Sequence, residues 1–216
     1  MMDIAGIIRQ KVRENGICNV IIAGGTCSGK TTFADNLKIE LSKEFSVTVI
    51  KQDDYYKDIQ DVPRIRKGYL LDSPNAFHTR EFRQDIEQLL TEGASVVPQY
   101  DVAQNKRVSK NVKMSRSQVN ILEGLHAIML LEGLPDTLTV YIDTPLEVCL
   151  ERRVSRDTGL YGVAAELVKE NFADCITPMY HSYIDPQREK AEIIADGETF
   201  GDRGIEWNSK KYMTNL

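Results

Sequence analysis

The chain is short of every feature that marks a special environment. No apolar run approaches the ~18 residues that a membrane-crossing helix needs. The first residues do not resemble a secretory leader, because Ile4, Ile7, Ile8 and Val12 are interleaved with Asp3, Arg9, Lys11 and Arg13. They read instead as an amphipathic first helix ending near Asn15-Gly16. The four cysteines, Cys18, Cys27, Cys149 and Cys175, show no CxxC spacing. That disfavours a disulfide framework and points to reduced thiols in a cytoplasmic protein. The three histidines, His78, His126 and His181, are scattered and form no ligand cluster. Positive charge is in deficit, with 27 Lys and Arg against 32 Asp and Glu and a net charge of −5. A nucleic-acid or membrane-surface partner would call for a basic patch. There is no internal repeat and no low-complexity segment.

What is present is the makeup of an ordinary globular chain, 42% hydrophobic and 27% charged over 216 residues. That length can bury one sizeable core. The expected organisation is a single domain over residues 1–216, with a small β insertion at about 95–115 and a lid at about 153–175. The most informative stretch is Gly24, Gly25, Thr26, Cys27, Ser28, Gly29, Lys30, Thr31 and Thr32. It fits the phosphate-loop pattern of Gly, four residues, then Gly-Lys-Ser/Thr. Ile17 to Ala23 before it is apolar and β-branched, a buried strand. Phe33, Leu37 and Leu41 after it give a helix with one apolar face, over about Lys30 to Glu44. A strand feeding a Gly-rich turn and a helix N-terminus directs backbone N–H groups and a positive dipole end at an anion. Lys30 can reach the β- and γ-phosphates of a nucleotide, and Thr31 can offer its hydroxyl to Mg²⁺.

The second strand, Ser46 to Ile50, ends in Lys51-Gln52-Asp53-Asp54-Tyr55-Tyr56-Lys57-Asp58. In an open α/β sheet the ligands sit at the carboxyl ends of the strands. A carboxylate there can take the proton from an attacking hydroxyl, and a tyrosine can orient the acceptor; the alternative is a solvated polar turn. Asp61 to Thr79 reads as a long loop over the site. A helix follows from Thr79, as its N-cap, to a stop at Gly93. Ser95 to Tyr100 and Arg107 to Met114 suggest a small β element. Val119 to Gly124 is a core strand ending in Glu123, which can face Mg²⁺ directly or through water, or be structural. Pro145 opens a helix bearing Arg152, Arg153 and Arg156, followed by a break at Gly159; three arginines on about one turn suit a lid over phosphates, or a solvated basic face. In the tail from Gly197, Trp207 is the one strong anchor.

Several of these motifs, in this order, resemble the uridine kinases within the uridine kinase/phosphoribulokinase group. The likeness spans about residues 18 to 197. GGTCSGKTT resembles that group's phosphate loop. QDDYYKD resembles its second-strand motif, which implies Asp53 as catalytic base and Tyr56 on the acceptor side. LDSPNAF resembles the segment whose Asp holds the ribose hydroxyls, here Asp72. PQYDVAQNKR resembles the base-pocket segment and implies Tyr100 in the pocket with Arg107 at its end. ILEG supplies the metal-side Glu123, and ERRVSRD the lid arginines Arg153 and Arg156. TPMYHSYIDPQREKAEII is similar to the C-terminal helix-Pro-strand segment. There are departures: Val102 stands where the group has an aromatic, and Asn105 where it has a His that reads the pyrimidine. Leu160-Tyr161-Gly162-Val163 replaces basic residues beyond the lid helix, and Asn171 replaces a Gln.

The resemblance implies a three-layer α/β phosphate-loop fold with a mainly parallel five-stranded sheet. It implies phosphorylation of the 5′-hydroxyl of a nucleoside, uridine or cytidine first, as in pyrimidine salvage, by ATP or GTP with Mg²⁺. Arg153 would touch both phosphate and substrate, and a homo-oligomer is expected. Two alternatives stay open: a related small-molecule kinase, such as a nicotinamide riboside kinase, or a nucleotide-binding regulatory protein without kinase activity.

Overall fold

The computed structural model describes residues 4–198 and the backbone of residues 213–214. Helix α1 (Ile4–Asn15) leads into β1 (Cys18–Gly24), α2 (Lys30–Leu41) and β2 (Val47–Lys51). A short 3-10 turn at Gln52–Tyr55 follows, then the small hairpin β3 (Arg64–Ile65) and β4 (Gly68–Tyr69), and helix α3 (Thr79–Glu92). Strands β5 (Ala94–Val97), β6 (Tyr100–Asp101), β7 (Lys106–Arg107) and β8 (Val112–Ser115) come next. Then follow β9 (Val119–Glu123), α4 (Ala127–Leu130), β10 (Thr137–Asp143), α5 (Leu146–Tyr161) and α6 (Ala165–Asn171). A run of π and 3-10 turns around α7 (Thr177–Met179) leads to β11 (Ile193–Asp196) and β12 (Met213–Thr214).

The main sheet has the order β12-β11-β10-β1-β9-β2. Five strands are parallel, and β12 adds an antiparallel edge that the sequence pattern did not reveal. β1 is buried along its whole length because helices cover both faces. Its residues alternate between them: Val20 and Ile22 join Phe33, Leu37, Ile4 and Ile8, whereas Ile21 and Ala23 join Phe82, Ile86 and Leu89. Period-2 burial on two faces therefore makes the strand read as a continuous apolar run. Register brings Ile22 beside Glu123, and Lys51 beside the same Glu123. The carboxyl ends of β1, β2 and β9 thus lie together, and the loops leaving them share one crevice.

Several expectations needed correction. Helix α3 is preceded by His78 rather than capped by Thr79, and Phe82 N donates to His78 O at 3.0 Å. Helix α2 stops at Leu41, short of Glu44. The loop from Asp61 contains the β3–β4 hairpin, which two-residue strands leave no periodicity to detect. Gly159 does not break α5; the helix continues to Tyr161 and ends at Gly162. Residues 94–115 form one bent hairpin, in which β5 pairs with β8 and β6 with β7. Trp207 lies outside the described residues. Among the described residues, no helix is long and apolar enough to cross a membrane.

Candidate active site

A cavity of about 1120 Å³ opens at the carboxyl ends of the parallel strands. One end is the loop between β1 and α2. Thr26, Cys27, Gly29, Lys30, Thr31 and Thr32 line it. Gly29 adopts φ +104, a left-handed conformation that costs an L residue strain and that turns the chain into α2. Lys30 Nζ donates to Gly25 O at 2.7 Å, folded back over the loop and within reach of an incoming phosphate. Ser28 Oγ is buried with no protein partner, as expected of a loop shaped around an anion. Gly24 and Gly25 form the β1 exit that carries these groups.

Across the crevice, Thr31 Oγ1 donates to Glu123 Oε1 at 2.9 Å. This pair of hard oxygens, open to the cavity beside the loop, is a donor set that fits Mg²⁺, which is commonly bound by one or two protein oxygens plus phosphate and water. Asp53 follows in the turn after β2. It lines the cavity and is exposed there. Desolvation raises its carboxyl pKa, and Lys30, Arg156 and Lys51 oppose the rise. Glu123 is buried and raised by that burial and by the Asp53 charge, so the two carboxyls titrate as a pair above the ordinary range. Such a carboxylate is a better proton acceptor than an ordinary one.

The two tyrosines after Asp53 part company. Tyr55 enters the core, its ring edge-on to Phe82 at 5.0 Å and its hydroxyl donating to Asp85 at 2.9 Å. Tyr56 faces the cavity, stacked on Phe77 at 4.0 Å and 5.5 Å from Tyr100. The two remaining acids of the motif serve the hairpin. Asp54 Oδ1 accepts from Tyr100 N at 3.3 Å, and Asp58 Oδ1 from Arg107 N at 2.9 Å. Asp72 is buried at the cavity wall, its Oδ2 without a protein partner and its carboxyl raised by burial. Tyr100 and Asn105 line the cavity, but Arg107 does not. Its guanidinium is held by both oxygens of Glu81, at 2.8 Å each.

From the other side α5 presents Arg152, Arg153 and Arg156. Arg153 donates to Thr26 Oγ1 at 2.8 Å. Asp157, which sequence reasoning passed over, pairs with Arg153 Nε at 3.2 Å and with Arg156 Nε at 2.8 Å. The i,i+4 spacing of Arg153 and Asp157 was the available signal. Arg152 donates to Gly197 O at 3.0 Å and so also secures the end of β11. His126 was likewise missed as part of this region; it is buried beside Asp72, its ring edge-on to Phe77 at 5.7 Å. Together the groups can bind a triphosphate, hold a divalent cation and accept a proton from a hydroxyl placed near Asp53.

The sequence model of the phosphoribulokinase/uridine kinase family matches residues 20–199. The uridine kinase of Aliivibrio salmonicida is 34% identical over 191 residues, covering 84% of this chain and 87% of that protein. The uridine kinase of Mycoplasma genitalium is 36% identical over 184 residues, covering 84% and 85%. Among solved structures, phosphoribulokinase from Rhodobacter spheroides superposes with a TM-score of 0.56 at 15% identity, covering 88% of this chain and 75% of that one. D-glycerate 3-kinase from Cryptococcus neoformans gives 0.58 at 14%, covering 84% and 87%. The solved structures share the fold across acceptors as different as a sugar phosphate and a small acid, so the fold alone does not choose a substrate. On the match of its sequence over nearly the whole described length, the chain belongs to the phosphoribulokinase/uridine kinase family.

Proposed function

We propose that the protein transfers the γ-phosphate of ATP or GTP to the 5′-hydroxyl of a nucleoside, uridine or cytidine first. The observation that carries this reading is that Asp53 lines one cavity together with the phosphate loop and with Tyr56, Tyr100 and Asn105. A hydroxyl held there would have a proton acceptor and a phosphate site in the same cavity. The names of the sequence relatives support the choice of nucleoside.

In this reading Lys30 and the loop amides hold the donor's β- and γ-phosphates. Asp72 accepts hydrogen bonds from the ribose hydroxyls, which would give its orphaned Oδ2 a partner. Tyr56 and Tyr100 bound the acceptor, and Asn105 offers one amide donor and one acceptor to the base. Asp53 orients the 5′-hydroxyl and takes its proton. Arg153 and Arg156, aligned by Asp157, neutralise the charge that develops on the transferring group; Arg153 also reaches the substrate. Positioning and electrostatics supply most of the rate in such transfers. Thr31 and Glu123 would hold Mg²⁺, which when bound neutralises charge on the phosphate oxygens.

The test is ADP release measured with a panel of ribosides, including nicotinamide riboside. Stimulation by uridine or cytidine supports the reading, and preference for nicotinamide riboside moves the chain to that acceptor within the same family. A flat response to every riboside, with nucleotide still bound, would make it a nucleotide-binding protein without kinase activity.

A further inference from the structure

Just beyond Glu123 the chain carries a histidine into the core. His126 is fully buried, in the loop between β9 and α4. Its backbone is fixed by a neighbour. Gly124 lacks a side chain where a Cβ would collide with Cβ and Oε1 of Gln52. That close approach lets the buried side chain of Gln52 pack against the loop, and its Oε1 accepts from His126 N at 2.9 Å. Gln52 is the residue before Asp53. The turn after β2 and the loop after β9 are therefore tied together where Asp53 and Glu123 enter the cavity.

The ring is fixed by the segment over residues 72–77. It stands edge-on to Phe77 at 5.7 Å, and to Tyr183 at 6.4 Å on another side. The Phe77 end of the segment is bonded to the chain after β2: Lys57 N donates to Ala76 O at 2.9 Å, and His78 N to Tyr55 O at 2.8 Å. At the other end the ring adjoins the backbone of Asp72, which favours a proton on the ring, as an acceptor carbonyl does. Burial keeps the ring neutral at neutral pH, so it carries one N–H. A buried donor needs an acceptor, yet neither ring nitrogen makes a well-formed hydrogen bond within the described residues. The Asp72 carbonyl is the acceptor that the packing offers.

We infer that His126 is a positioning residue for Asp72: its ring N–H donates to the Asp72 carbonyl and so aims the carboxyl of that residue at the ribose hydroxyls of the acceptor. His126 itself touches no substrate. This role deepens the kinase reading, since it presupposes that Asp72 holds the ribose. Without the ring N–H, Asp72 keeps its carboxyl but loses the restraint on its backbone. Recognition of the ribose hydroxyls then weakens, while the transfer step, which uses Asp53 and the phosphate-side groups, is kept.

The experiment is titration calorimetry of the full chain with uridine and with 2′,3′-dideoxyuridine, in the presence of Mg²⁺ and a non-hydrolysable ATP analogue. The second ligand keeps the base and the 5′-hydroxyl but lacks the hydroxyls that Asp72 would bind. His126→Phe keeps a buried ring without an N–H, His126→Gln keeps a donor, and Asn120→Ala weakens the core elsewhere. His126→Phe should raise the Kd of uridine about fivefold, in line with one net hydrogen bond, and leave that of dideoxyuridine unchanged. His126→Gln should recover part of the loss, and Asn120→Ala should leave the ratio of the two Kd values as it is. In ADP-release kinetics the KM for uridine should rise in His126→Phe at unchanged kcat. A measurement on the wild type needs no variant to fold. With ¹⁵N-labelled imidazoles, the ring N–H slowest to exchange with water, that of the buried His126, should shift with uridine and not with dideoxyuridine. An unchanged Kd ratio in His126→Phe, an equal loss for both ligands, or a ring signal indifferent to uridine in a protein that phosphorylates it overturns the role and leaves the kinase reading standing. A changed ratio and a responding ring without any ADP release support the role and overturn the kinase reading. Failure of the wild type to bind uridine overturns the role together with the choice of a pyrimidine nucleoside.

Discussion

At the residue scale the site turns on carboxyls that the fold holds at unusual affinity for protons. Asp53 and Glu123 line the same cavity, and desolvation raises both. A base works only when ionised, so kcat/KM should fall as pH drops through the raised values of the pair, at a pH above the ordinary carboxylate value of about 4. Asp53→Asn should reduce turnover by about 10²- to 10⁴-fold while nucleotide affinity is kept, and rate and binding measured on one preparation separate the two. His126 offers a stability test of opposite origin. Burial lowers its pKa to about 4 from an ordinary 6.5. The unfolded chain therefore binds the extra proton between those values, and stability falls as pH falls through that window. The loss is on the order of 3 kcal/mol. Urea melts from pH 7 to 4 should show it, and His126→Leu should remove that part of the slope. The environment of His126 could not be read from its neighbours in sequence. The resemblance carried by QDDYYKD put Asp53 at the site, but not Asp54 and Asp58 on the hairpin they hold.

At the scale of elements, the strands at the centre were legible and the joints between elements were not. Val119 to Glu123 emerges as a strand ending on the expected carboxylate, because a fully buried strand must be an apolar run. What locks it to β1 is polar: Asn120 Nδ2 donates to Asn19 Oδ1 at 2.9 Å, and both residues are fully buried. Asn120→Ala leaves that oxygen unpaired and should cost about 1–3 kcal/mol, measurable as a lower midpoint in denaturant. The hairpin over residues 94–115 is fixed in the same indirect way. Asp58 accepts from Arg107 N, and Ile59 N donates to Asn105 O at 3.1 Å. Asp58→Ala should loosen the acceptor wall and raise the acceptor KM severalfold with little change in kcat, and steady-state kinetics with saturating nucleotide would show the split. Helix α5 illustrates why a glycine misleads. Gly159 lies inside it, since three turns of tertiary packing outweigh a local cost of about 1 kcal/mol, and the helix ends only at Gly162.

For the molecule as a whole, the phosphate loop and the α5 arginines that reach it come from opposite halves of the chain, so a triphosphate bound between them would tie them together. Ligand at 100 times its Kd stabilises the folded state by about 2.7 kcal/mol. For a chain of this size that is a rise in Tm of roughly 5–10 °C. Thermal melts with and without Mg·ATP should show it, and Lys30→Ala should abolish most of it. Absence of any shift in the wild type would remove nucleotide binding from the account.

The sequence by itself determined the central parallel strands and the main helices between them, the phosphate-loop motif and which residues stand at the strand ends. These depend on local chain geometry: alternation, helical spacing and the conformational freedom of glycine. Tertiary structure decided which of these groups meet. It set Tyr55 in the core and Tyr56 in the cavity, engaged Arg107 with Glu81, and joined Asp157 to two arginines. It also brought Tyr161 and Val163 to the same cavity as Val102, some sixty residues earlier. Such contacts depend on register between distant strands and on where one helix ends, and no local pattern in the chain encodes either.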